Sequence, residues 1–212
     1  TLFPYTTLFR SESTVELTEN SPLSMLKRGP EYWNRWRSES GAVHIDLSGK
    51  DLRGIELKGA NLSKIILKGC NLREQDLRGC NLFMADMRGT DLSGSDLSDA
   101  DLGGADLSGS DLSGCRIIEA FVRGAKLKNC NLRKSWVINT DLGESNLNSA
   151  VLADSDLNRS VFWRSDLTDA DLTGARLLEA DLRGALLKGA ILNSAYLERV
   201  KIDDGALNES SR

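Results

Sequence analysis

Residues 91–114 read DLSGSDLSDADLGGADLSGSDLSG, an Asp-Leu pair at strict five-residue intervals. Five matches neither the 3.6-residue period of a helix nor the two-residue period of a strand. Followed outward in both directions, the register runs from Leu47 to Ile202 without an insertion, through 32 axial positions. Leucine holds 26 of them and Met87, Ile117, Val122, Val137, Phe162 and Ile202 the others, so every one is apolar. Two residues earlier, all 24 positions from Cys80 to Ala195 are Ala, Ser, Thr or Cys. Asp or Asn stands immediately before the axial residue at 19 of the 32. One large and one small inward residue per five, with an outward polar one between, describes a short extended segment closed by a tight turn. The outward Asp or Asn can accept from nearby backbone amides, and the Gly that often follows eases the corner.

This A(D/N)LXX pattern resembles that of the pentapeptide-repeat proteins, over roughly residues 43–207. The resemblance implies an all-β fold, a right-handed quadrilateral β-helix solenoid in which four units close each coil. Coils stacked about 4.8 Å apart would pair each side with the one above and below, as in other nearest-neighbour solenoids. The first coils depart from the pattern: Lys50 and Gln75 occupy small inward positions, and Ile55 and Ile65 are oversized there. A looser, wider end beneath a cap is expected.

Residues 12–42 are read as that cap, a short α-helical one. Ser21 is placed to cap a helix that has Pro22 in its first turn, and Gly29-Pro30 breaks the segment. Tyr32, Trp33 and Trp36 would form an apolar plug over the open coil. Residues 1–11, TLFPYTTLFRS, resemble the in-frame translation of a short-read sequencing adapter and are left out of the fold. Residues 208–212 are expected to be a disordered tail.

Composition narrows the function. A net charge of −4 and pI near 5.2 argue against direct nucleic-acid binding, which needs excess Lys and Arg. No apolar run approaches the ~20 residues of a transmembrane helix. His44 is the single histidine, which excludes His-paired nucleophiles and multi-His metal sites. The carboxylates recur as architecture, not as a few specially placed groups, so no catalytic residue, metal ligand or cofactor site is assigned. A five-residue period also lacks the GGxGxDxUx pattern of calcium-binding β-rolls. Cys70, Cys80, Cys115 and Cys130 all fall on the small inward position and are expected to be free thiols; Cys70 and Cys130 share a side but sit three coils apart, beyond disulfide reach. Free thiols suit a reducing, cytoplasmic setting.

A non-enzymatic scaffold or protein-binding module is the expected function, with an unknown protein partner. Outward apolar residues mark where a partner would dock. Ile118, Ile138 and Leu178 fall in one column of the four-unit coil, beside Trp136; Phe121, Val161 and Trp163 fall on the next side. Leu186, Ile191 and Tyr196 point outward on successive sides of the last full coil. They would suit a homodimer through the C-terminal coils, a mode the resemblance implies. The alternative is a DNA-mimicking regulator of a type II topoisomerase such as gyrase, again implied by the resemblance. Its support is an acidic face, Asp91, Asp96, Asp101, Asp106 and Asp111, in a stretch free of Lys and Arg. Elsewhere the charges balance: residues 116–212 carry fourteen basic and fourteen acidic side chains.

Overall fold

The computed structural model describes residues 21–41 and 44–206. The readings of residues 1–11 and 208–212 therefore lie outside the described residues. From Asp46 to Lys201 the chain is a solenoid in which each bridge joins positions twenty apart: Asp46 bridges Ile66 in parallel, Asp91 bridges Asp111, and Asp181 bridges Lys201. Four five-residue units thus make each coil, with one axial residue per side.

The walls differ from ordinary β structure. They are single-residue parallel bridges between successive coils, and no longer strand occurs among the described residues. The reason lies in the repeat, since each unit of five spends four residues turning. In 29 of the 31 turns from Leu47 to Val200, the amide three residues after the axial residue donates to the axial carbonyl, as Lys50 does to Leu47 at 3.2 Å. The third turn residue has a positive φ in all 31, the requirement of a type II turn. Fourteen are Gly, but seventeen are other residues, among them Asp99 and Glu119. The corner therefore favours Gly without demanding it.

The outward Asp or Asn does a second local job. Asp101 Oδ1 accepts from Gly103 N at 2.9 Å, and Asp46 from Ser48 N at 2.8 Å. Where Arg occupies the position after the axial residue, it also forks onto that Asp: Arg53 onto Asp51, Arg78 onto Asp76, Arg183 onto Asp181. The Arg53 guanidinium holds Asp51 down at about 2. These pairs are exposed, and each contributes little to stability.

Inside, the axial leucines stack along the rod and are buried throughout its length until the last coil. Each fully buried one contributes about 1.5–3 kcal/mol. The small column is not purely apolar, and its polar members are satisfied. Ser110, Ser135, Ser145, Ser155 and Ser165 donate to the axial carbonyl of their own coil. Thr90, Ser95 and Ser160 donate to an axial carbonyl of the coil below. A hydroxyl is tolerated there because a backbone acceptor always lies within reach.

The N-terminal end is closed by α1 (Pro22–Leu26) and α2 (Pro30–Ser40). Ser21 caps α1, its Oγ accepting from Ser24 N at 3.2 Å. Trp33 is fully buried, with Trp36 against it at 5.2 Å between ring centroids. Met25 and Leu26 complete the plug. Tyr32 does not join it. One residue from Trp33 on a helix, it points about 100° away and lies 43% exposed, its ring under Arg28.

The cap also finishes the backbone ladder. Trp33 Nε1 donates to Asn61 O at 2.8 Å, Arg37 donates to Ser63 O at 3.0 Å, and Asn34 Oδ1 accepts from Asn61 N at 2.7 Å. Three side chains stand where a preceding coil would have offered backbone groups. Above this edge, the first coil is looser at one side, where Glu56 and Asp76 do not bridge. Gln75 spans the gap in the amide orientation that satisfies both its ends, with nitrogen toward Ile55 O at 2.8 Å and oxygen toward Gly54 N at 2.9 Å. The long polar residue at a small inward position thus replaces two ladder bonds. Lys50 escapes to solvent, whereas Ile65 is accommodated within the core.

Candidate interaction surfaces

Positions twenty apart in the sequence lie in one column of the rod, and positions five apart lie on successive sides. That rule places every candidate residue. Phe121 stands between Asp101 and Asp141 in its column and is 63% exposed. Trp136, on the adjoining side, follows Arg116 and is 44% exposed. Ile118 and Ile138 are half-buried beside it, as are Val161, Trp163 and Leu178 farther along. Trp163 is covered by cations: Arg164 lies 4.4 Å from its ring centroid and Arg123 lies 5.4 Å away. The structure therefore brings Phe121, Trp136, Ile118 and Ile138 to one corner and leaves Trp163 shielded.

Two further exposed residues stand outside the patches expected from the sequence. Phe83 (41%) and Met84 (54%) form an apolar pair toward the N-terminal half. Phe83 leans over Gly103, where an added Cβ would meet its ring at 3.2 Å. The signal that could have revealed them is the run NLFMA, which puts two large apolar residues at turn positions that most other units fill with small or polar ones.

The five aspartates 91, 96, 101, 106 and 111 do not share a face. Spaced by five, they pass around all four sides, and only Asp91 and Asp111 meet in one column. Bases from the next coil answer two of them: Arg116 approaches Asp96 at 3.5 Å and Lys126 approaches Asp106 at 3.6 Å. They make a partly neutralised girdle, because the register sets a later, more basic coil directly over the acidic one.

At the far end, Leu186 and Tyr196 are 60% and 67% exposed, and Ile191 is half-buried. The last coil differs from the rest inside as well: Leu192, Leu197, Val200 and Ile202 are only half-buried. Among the described residues, the amides of Leu187, Leu192 and Leu197 find no partner, whereas the same position in every coil from Leu62 to Leu182 donates to the coil above. Among the described residues, this end presents an apolar and hydrogen-bonding surface.

All four cysteines are buried and free. Cys70, Cys80 and Cys115 donate to carbonyls of the coil below at 2.9 Å. Burial pushes the thiols up, Cys80 to about 11 and Cys115 and Cys130 to about 12. Folding therefore favours the protonated thiol. The stability this carries is complete below the ordinary thiol value of 9.0 and is lost as pH rises toward 12. Native protein at pH 8 is expected to leave a thiol reagent unreacted, with four thiols titrating in guanidinium. Fast labelling of native protein would contradict the burial.

Among the described residues, no group of three or more His, Cys, Asp or Glu could hold a metal ion, and no helix is long and apolar enough to cross a membrane.

The repeat model for pentapeptide repeats matches residues 44–73, 55–94, 95–133, 125–164 and 165–204. The chain belongs to the pentapeptide-repeat family. Solved structures like this pentapeptide-repeat protein include one from the Arabidopsis thaliana thylakoid lumen, 36% identical over 47% of this chain and 69% of that one, with a TM-score of 0.46. HetL of the cyanobacterium Nostoc, involved in heterocyst differentiation regulation, is 27% identical over 78% and 91%, with a TM-score of 0.35. QnrB1, a plasmid-mediated fluoroquinolone resistance protein, is 18% identical over 76% and 91%, with a TM-score of 0.42. No curated protein sequence matches the chain.

Proposed function

We propose that this pentapeptide-repeat protein is a non-catalytic scaffold that binds another protein through side-chain columns on a rigid rod. The observation that carries this reading is the corner where Phe121 and Trp136 stand exposed beside Ile118 and Ile138, on columns whose immediate neighbours are Asp101, Asp141, Arg116 and Asp156. A repeating backbone holds such residues in fixed relation, so binding does not incur the entropy of ordering a loop. Immobilised wild type should retain a partner from cell extract that a Phe121→Ser, Trp136→Ser double variant releases. Equal retention by both would remove this corner as the binding surface.

A second association uses the far end. The half-buried Leu197 and Ile202, together with exposed Leu186 and Tyr196, favour closure by another copy of the chain. Light scattering is expected to give twice the monomer mass for wild type and the monomer mass for Leu186→Asp, Ile191→Asp. A wild type that is monomeric at high micromolar concentration would exclude the terminal interface.

DNA mimicry is the weaker reading, because the acidic girdle is short and Arg116 and Lys126 reach back into it. Its test is a gyrase supercoiling assay, in which inhibition or quinolone protection at micromolar protein would revive it.

A further inference from the structure

Two turns of the rod are open. At Ile117–Ala120 and Val137–Thr140 the closing amide-to-carbonyl bond is missing, although it is present in the other 29 turns. Thr140 Oγ1 takes the Ile117 carbonyl in its place. Both turns carry two β-branched residues in succession, Ile117-Ile118 and Val137-Ile138, whose stiff side chains favour extended backbone. The open turns sit one above the other and leave a shallow cleft of about 340 Å³, lined by Asp99, Glu119, Ala120, Phe121, Asn139 and Asp141.

Two of the three carboxylates of this cleft, Asp99 and Glu119, are unanswered. Among the described residues, no cation lies within ion-pair distance of Asp99, Asp101 or Glu119, while Asp96 and Asp106 in the same girdle have theirs. Asp141 has only a distant one, Arg123 at 3.8 Å. Asp99 and Glu119 stand one coil apart, and so about 4.8 Å from each other along the rod, close enough for one cation to serve both. The exposed Phe121 ring forms the wall beside them, and rings attract a cation across their face. The neighbouring Trp136, Ile118 and Ile138 supply apolar surface.

Resting on the protein-binding reading above, we propose that this cleft receives an arginine side chain from a basic, partly apolar segment of a partner protein. The guanidinium would fork onto Asp99 and Glu119 with its stem along Phe121, since a planar fork suits paired carboxylates better than a point charge. Apolar residues flanking that arginine would lie over Trp136 and Ile138.

The test uses the full chain and a fluorescein-labelled hexapeptide alternating arginine and leucine, followed by anisotropy. Companion peptides replace arginine with citrulline, which keeps the shape and removes the charge, or with glutamate. Saturable binding of the arginine peptide is expected, with each of Phe121→Ser and Glu119→Gln weakening it about tenfold or more. Asp169→Asn, an exposed acid at the same kind of turn position elsewhere on the rod, should leave it unchanged, and circular dichroism should show all variants folded. Absence of saturable binding would overturn the proposal, as would an equal loss in Asp169→Asn, which would mean diffuse attraction. Citrulline or glutamate peptide binding that Phe121→Ser abolishes would also overturn the arginine assignment, yet would leave the corner a protein-binding surface.

Discussion

Trp33→Ala should destabilise the N-terminal end by about 3–5 kcal/mol, the range for deleting a large buried aromatic. Trp33 is fully buried, carries Trp36 against it, and donates to Asn61 O, a ladder acceptor that among the described residues only Arg37 also reaches. Removing it both empties the plug and uncovers a sheet edge, and uncovered edges associate. Two readouts follow: earlier unfolding in urea, followed by far-ultraviolet circular dichroism, and a rise in light scattering. Trp33→Phe separates the causes, since it keeps most of the packing and loses only the bond; about 1 kcal/mol is expected. For Trp33→Ala, a loss below about 1 kcal/mol would mean that the first coil closes without its cap.

Phe162→Ala should cost a similar ~3–5 kcal/mol, but at the other half of the rod. Phe162 is the only aromatic on the axis and is fully buried. In a solenoid each coil is held by its neighbours, so a cavity there divides the molecule into two weakly coupled halves. Urea unfolding should become broader or biphasic, with the coils after Phe162 exchanging their amide hydrogens first. Phe162→Leu restores the residue found at most other axial positions and should cost under ~1.5 kcal/mol. A single sharp transition in Phe162→Ala would show that cooperativity extends across the void.

The core was almost wholly legible in the sequence, because a five-residue repeat with a large and a small apolar position leaves one arrangement for the side chains. Leu47 through Leu187 are buried along the axis, as the repeat required. The family resemblance supplied the four-sided coil, which periodicity alone could not. What stayed hidden depended on contacts between coils or beyond the repeat. The role of Gln75 could not be read locally, since its partners, Gly54 and Ile55, lie a full coil back. Composition groups Tyr32 with the tryptophans, but its helical phase relative to buried Trp33 turns it outward. The aspartates looked like one face in a linear string and become a girdle once every fifth residue moves to the next side. The cleft beside Phe121 was also invisible, because it arises from two turn bonds that fail to form above one another.

The coil register has a consequence for how such a chain tolerates insertions. Adding one whole coil of sequence lengthens the rod by one storey and keeps every column intact. Adding a single unit of five preserves the axial and small positions equally well, yet rotates everything downstream by a quarter turn. Inserted between Phe121 and Trp136, such a unit would carry Trp136 to a different side with no loss of core. The protein would fold, and its outer surface would spell something else.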